Sequence, residues 1–139
     1  DGFRSHREYL GFLDAPPFEN VILDVHRYQC FDPADQALDA SGHLHKAAVA
    51  WADEADRIQR ELALPAIAGE WSLGLDAPDA LPRPASFLAD ISLRGYAAAQ
   101  LLAFERYHGW FFWSYRTETT PAWCFRDCVE RGWLPSRFQ

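Results

Sequence analysis

The chain contains no methionine, a single asparagine (Asn20) and only three cysteines among 139 residues. The missing methionine, with Asp1 in first position, gives the expectation that the start of the protein has been removed and that the chain is part of something larger. An odd cysteine count does not build a disulfide framework. Cys124 and Cys128 stand one helical turn apart and lack zinc-ligand spacing, so with Cys30 they read as structural thiols. No apolar run approaches the roughly 18 to 20 residues of a membrane helix. Positive charge is scarce: the formal net charge is −7, which disfavours phosphate backbones and gives no attraction to anionic lipid. No secretory leader pattern is present, which leaves a cytoplasmic or a secreted location open. A glycine-rich phosphate cradle and a Gly-x-Ser-x-Gly elbow are both missing, so nucleotide-dependent and serine-hydrolase chemistry are weak readings. His43 and His45 form an H-x-H without a carboxylate partner, a poor metal site. Neither a metal nor an organic cofactor is expected.

What is present is apolar and aromatic. Hydrophobic residues make up 49% and aromatics 15% of the chain, enough for the core of one ordinary domain over 1–139. "NVILDVHRY" (20–28) is an apolar run rich in β-branched residues, bounded by proline and asparagine, and reads as a buried strand. "FDPADQALDASG" follows as a polar loop. Leu44, Ala47, Ala48, Trp51, Ala55, Ile58 and Leu62 recur at spacings of three and four, one face of a helix. The acidic cluster around 53–56 falls on its solvated side. "LPAIAGEW" (64–71) is a second strand, and the proline-rich "GLDAPDALPRPA" after it is a long loop. A helix over about 90–107 carries Tyr96, Ala99, Ala103, Phe104 and Tyr107 on one face. "GWFFWSYR" (109–116) is a third, intensely aromatic strand, and a short helix runs from Cys124 to Glu130.

Strands alternating with helices imply crossovers and a parallel sheet. Continuous apolar runs suit strands buried on both faces. Three strands leave two open edges, which need cover. The rest of the sheet is therefore expected elsewhere, and an isolated chain is expected to associate.

Ligands gather at the carboxyl ends of parallel strands. The first strand ends in His26, Tyr28, Gln29 and Phe31; the second in Glu70, Trp71 and Ser72; the third in Trp113, Ser114, Tyr115 and Arg116. Carboxylates hydrogen-bond sugar hydroxyls and attack anomeric carbons, and flat aromatic faces stack on sugar rings. From the residues alone, Glu70 is either such a group or a strand-end carboxylate that binds an arginine. His26 and Tyr28, two apart on a strand, share a face, and read either as core residues or as lining of the site. Trp51 reads as core; Trp71, Trp123 and Trp133 stay undecided.

"VILDVHRYQCF", "AGEWS" and "GWFFWSYRTE", with the later "PAW", occur here in the order found in glycoside hydrolase family 5, and resemble its exo-β-1,3-glucanase branch. The resemblance runs from "DGF" (1–3), similar to the end of a fifth strand, to "GWLP" (132–135). It implies an α/β fold, a partial (β/α)8 TIM barrel with about three parallel strands, equivalent to strands 6–8, and covering helices. It implies retaining hydrolysis of β-glucosidic linkages, with a β-glucoside or β-glucan as substrate. On this resemblance Glu70 is the nucleophile, Tyr28 holds it in line, His26 sits beside the catalytic pair, Trp113 is a platform under the sugar and Phe31 belongs to an aromatic clamp. The family's acid/base glutamate follows an asparagine on the fourth strand, and no Asn-Glu pair exists here. The loop after Glu70 is shorter than in the fungal enzymes and lacks their cysteine. The acid/base is therefore expected outside this chain, on strands from a longer chain, a partner chain or another copy. The alternative is a non-catalytic barrel fragment that binds sugar or assembles with other chains.

Overall fold

The computed structural model describes residues 4–13, 16–75, 87–118 and 120–138. The "DGF" segment and residues 76–85 of the proline-rich loop lie outside these described residues.

Three strands, β1 (Leu23–Arg27), β2 (Ala66–Trp71) and β3 (Trp110–Phe112), form one sheet in that order with both pairings parallel. Between β1 and β2 run α1 (Pro33–Gln36), α2 (Ala40–His45), a π-helical stretch (Lys46–Trp51) and α3 (Ala52–Glu61). The helix α4 (Phe87–Phe104) precedes β3, and a 3-10 turn (Pro121–Trp123) and α5 (Phe125–Glu130) follow it. Each strand lies beside the next in sequence, with no reversal of direction. Right-handed crossovers in such an order put every helix on the same face of the sheet. This is an α/β segment of an open, partial barrel, not a doubly wound sheet with a switch point.

The core lies between sheet and helices. Leu23, Val25, Ala66, Ala68 and Trp71 meet Ala47, Trp51, Ala55 and Ile58 on one side and Leu93, Tyr96, Ala97 and Phe104 of α4 on the other. Trp71 has no exposed surface and packs edge-on against Phe104, Trp110 and Phe112, with centroids 5.3, 5.3 and 4.9 Å away. Small residues at 66 and 68 let the helices approach the strands closely. The other face is open, in contrast to strands buried on both sides: Asp24 is 48% and Phe111 63% exposed.

Two local departures from the periodic pattern have clear causes. Asp32 caps α1 by accepting from the Ala34 amide at 2.8 Å, with Pro33 at the first helical position, so a helix forms inside the expected loop. The wide π turn carries the buried line on a spacing of four through His43, Ala47, Trp51 and Ala55, and leaves Ala48 outside. The acidic cluster is only partly solvated: Glu54 pairs with Arg27 at 3.0 Å and Asp56 with Arg106 at 2.8 Å.

The carboxylate of Glu61 sits at the C-terminal end of α3, where the helix dipole opposes it. Arg7 donates two hydrogen bonds to it at 3.2 Å, and the His6 ring lies 2.8 Å away. Chiefly through the Arg7 bonds, then His6, its pKa is lowered from 4.5 to about 2. A lowered carboxyl pKa stabilises the fold above its unfolded value and loses that contribution as pH falls. The melting temperature of Glu61→Gln is expected to lie below that of the wild type at neutral pH, with the gap closing between pH 4.5 and about 2. Thermal scans across that range check this. No helix among the described residues is long and apolar enough to cross a membrane.

Candidate functional site

Glu70 would face the helices if β2 alternated strictly from Ala66 and Ala68. It does not, because the register slips by one residue. Val25 pairs with Ala68 but His26 with Glu70, and on the other side Ala68 pairs with Trp110 but Trp71 with Phe112. Gly69 is the extra residue of a β-bulge that both neighbours register. The bulge turns Glu70 toward His26 and Tyr28 and sends Trp71 into the core. A side chain at 69 would strike the Asp24 carboxylate, which accounts for glycine there.

Glu70 is about a quarter exposed and has two polar partners among the described residues. The Tyr28 hydroxyl donates to its Oε2 at 3.0 Å, and the His26 Nδ1 lies 3.5 Å from the same oxygen. No arginine is among them. Burial first, then the bond to Glu70, raises the Tyr28 pKa, so the phenol stays protonated and a donor. On its far side His26 meets Asp24, Nε2 to Oδ2, at 3.1 Å.

The structure thus brings Glu70, His26 and Tyr28 into contact. Phe31, 60% exposed, joins through an edge contact with the Tyr28 ring at 5.2 Å. Trp113 lies at the same end of the sheet and is 54% exposed; its amide donates to the Trp71 carbonyl at 2.8 Å. Among the described residues its side chain makes no hydrogen bond or ring contact with the other four. The Trp113–Ser114 peptide is cis.

Trp123, undecided from the sequence, belongs to this group. Its indole stacks on Tyr28 at 5.3 Å and 24° and tilts against Phe31 at 6.2 Å. Backbone bonds fix it: Ser114 N donates to the Trp123 carbonyl at 2.9 Å, and Leu73 N to the Ala122 carbonyl at 3.0 Å. Gly74 lies directly beneath, and any Cβ there would overlap the indole. The signal available in the sequence was "PAW" after the third strand, but only the tertiary contact gives it a place. Gly74→Ala is expected to cost about 1–3 kcal/mol by overpacking and to shift Trp123. A fall in melting temperature together with an altered near-UV tryptophan spectrum checks this.

Beside this cluster, a cleft of about 420 Å³ opens between the end of β1, α1 and the π-helical stretch. Its walls include His26, Tyr28, Phe31 and Trp51, but it does not reach Glu70 or Trp113. Behind the site, the buried Gln100 of α4 donates to the Ser72 carbonyl at 3.1 Å and steadies the chain after β2.

The other candidates resolve as structure. His43 has no exposed surface; its Nδ1 meets Gln29 Oε1 at 2.7 Å, and burial lowers its pKa. The described residues include no group of three metal-ligating side chains. All three cysteines are buried, and burial raises the Cys128 thiol to about 12. Trp51 stacks on Phe104 in the core, and Trp133 donates to Asp90 at 2.8 Å.

Polar and aromatic groups at the carboxyl ends of parallel strands, with helices on one face, define the class: α/β-barrel-type architecture with its site at the strand ends. No protein-family model matches the chain. Individual curated proteins do. The chain is 30% identical over 166 aligned positions to a protein of Neosartorya fischeri named probable glucan 1,3-beta-glucosidase A, covering 98% of this chain and 38% of that protein. It is 29% identical to the glucan 1,3-beta-glucosidase of Blumeria graminis, over 97% of this chain and 38% of that one. It is 32% identical to the glucan 1,3-beta-glucosidase of Candida oleophila, over 84% of this chain and 33% of that one. The chain therefore spans between a third and two fifths of the length of these relatives.

Proposed function

We propose that this chain carries the nucleophile side of a retaining glycosidase site that acts on β-glucosidic linkages, as the exo-β-1,3-glucanase branch of glycoside hydrolase family 5 does. The observation that carries the reading is Glu70, turned by a bulge to the open face and held by the Tyr28 hydroxyl at 3.0 Å, with the His26 ring 3.5 Å away. The shared name of the relatives supports the substrate class.

In this reading an oxygen of Glu70 attacks the anomeric carbon while the bond from that carbon to the leaving oxygen breaks. A carboxylic acid outside this chain, roughly 5–5.5 Å from Glu70, gives the leaving oxygen its proton. The same group then takes a proton from water. The water oxygen bonds to the anomeric carbon, the ester to Glu70 breaks and the carboxylate is restored. Tyr28 orients the attacking oxygen. Trp113 offers its exposed indole to a sugar ring, and Phe31 with Trp123 offers an aromatic wall.

A second reading rests on the partner set of Glu70, which among the described residues includes no second carboxylate. The chain is then a barrel segment that binds sugar, or docks with further strands from a longer chain, another protein or a second copy, without cleaving.

An activated aryl 2-deoxy-2-fluoro-β-glucoside separates the two. Its leaving group needs little acid help, and its glycosyl ester hydrolyses slowly. The enzyme reading expects the mass of one fluoroglucosyl group on the peptide that contains Glu70, and no label on Glu70→Gln. Binding of a β-glucan without labelling supports the second reading and overturns the first.

A further inference from the structure

We infer that Asp24 is a positioning residue: it fixes the proton of His26 on Nε2 and thereby leaves the Tyr28 hydroxyl, not the imidazole, as the donor to Glu70. The consequence for chemistry rests on the proposed role of Glu70; the assignment of the proton does not.

Asp24 and His26 stand two apart on β1 and so share its open face. The Asp24 Oδ2 lies 3.1 Å from His26 Nε2. An ionised carboxylate can only accept, so the hydrogen between them belongs to Nε2. Which ring nitrogen carries the proton is set by the bond the other nitrogen makes. The nitrogen toward Glu70 is Nδ1; at 3.5 Å from Oε2 it makes no hydrogen bond to that carboxylate, as a nitrogen without its proton cannot. The ring therefore stands between two carboxylates, with a different nitrogen toward each.

The bulge supplies an independent argument. Asp24 pairs with Ile67, but its side chain reaches along the sheet to Gly69, whose missing Cβ is the space the Asp24 carboxylate occupies. One glycine both turns Glu70 to the open face and leaves room for the group that orients its histidine. Two further groups lie close by. The Tyr28 hydroxyl donates to the Glu70 oxygen that Nδ1 faces, and the Arg27 guanidinium turns back onto the His26 carbonyl at 2.7 Å. Neither takes the place of Asp24 at Nε2.

The test is a long-range proton–nitrogen correlation spectrum of the full chain, recorded where the ring is neutral, with His26 assigned by its loss in His26→Gln. The wild type is expected to show a protonated Nε2 and an unprotonated Nδ1. Asp24→Ala should lose that pattern, with both nitrogens moving toward an averaged position. Gly69→Ala should do the same by displacing the Asp24 carboxylate, without touching that residue. Asp24→Asn should keep the pattern, because its carboxamide oxygen still accepts. A wild-type ring protonated on Nδ1, or an unchanged spectrum in Asp24→Ala, overturns the inference. Labelling of Glu70 in the wild type reports separately on the glycosidase reading: failure to label with the Nε2–H pattern intact sinks that reading alone.

Discussion

Glu70→Gln is expected to lower release of the aryl group from an activated β-glucoside by about 10⁴-fold or more, the scale of losing a group that acts as part of a catalytic unit. The side chain keeps its shape, and the amide oxygen can still accept from the Tyr28 hydroxyl. The cluster of Glu70, Tyr28 and His26 should therefore stay in place, and sugar affinity should change little. What disappears is the anionic oxygen that forms the bond to the anomeric carbon. Activity should not return with better leaving groups, because leaving-group departure is not the step that was damaged. Steady-state rates, set beside binding of an uncleaved β-glucan, check this. Equal rates in wild type and variant would remove Glu70 from the chemistry.

Trp71→Ala is expected to cost about 3–5 kcal/mol of stability, a fall in melting temperature on the order of 10 °C or more for a chain of this size. The indole is fully buried and touches Phe104 of α4 and both Trp110 and Phe112 of β3. Its removal opens a cavity where two strands and a helix meet. Trp71→Phe should recover part of the loss, because the ring contacts are hydrophobic and the indole nitrogen has no hydrogen-bond partner among the described residues. Calorimetry of the two variants decides. If Trp71→Ala melts like the wild type, the packing at this junction is not what holds the sheet.

Much of the fold could be read from the residues. The order of strands and helices follows from two periodicities, and the buried faces of α3 and α4 fall where spacing puts them. Ala48 was misplaced because a π turn changes the count of residues per turn, and nothing in "KAAVAW" announces one. Burial on both faces of the strands was expected from their apolar runs. Yet β1 alternates Leu23 and Val25 with Asp24 and His26, and that alternation already marked one face as different. The site was legible as a collection of chemical types at strand ends. Its connections were not. That Tyr28 reaches Glu70 and that Trp123 returns from the end of the chain to stack on Tyr28 are contacts between separate segments, which no local pattern encodes; that Asp24 backs His26 is a contact within β1, where the spacing of two marks a shared face but not a bond. The resemblance supplied roles for Glu70, His26, Tyr28, Phe31 and Trp113; it gave none to Trp123 or Asp24.

The bulge at Gly69 also makes the site unequally tolerant of different genetic changes. A substitution at 69 inserts a side chain that a neighbour can step aside for. A deletion at 69 removes only the extra residue: Ala66, Ile67, Ala68, Glu70 and Trp71 then alternate regularly, with Glu70 still on the open face and Trp71 still in the core. An insertion of one residue between 69 and 70 does the opposite and reverses every side chain after it. The carboxylate of Glu70 would be driven toward the helices, unpaired and out of water, while the indole of Trp71 would swing onto the open face, and both exchanges are unfavourable. A codon gained there should therefore abolish folding and site together, whereas loss of the Gly69 codon should leave Glu70 beside His26 and Trp71 buried.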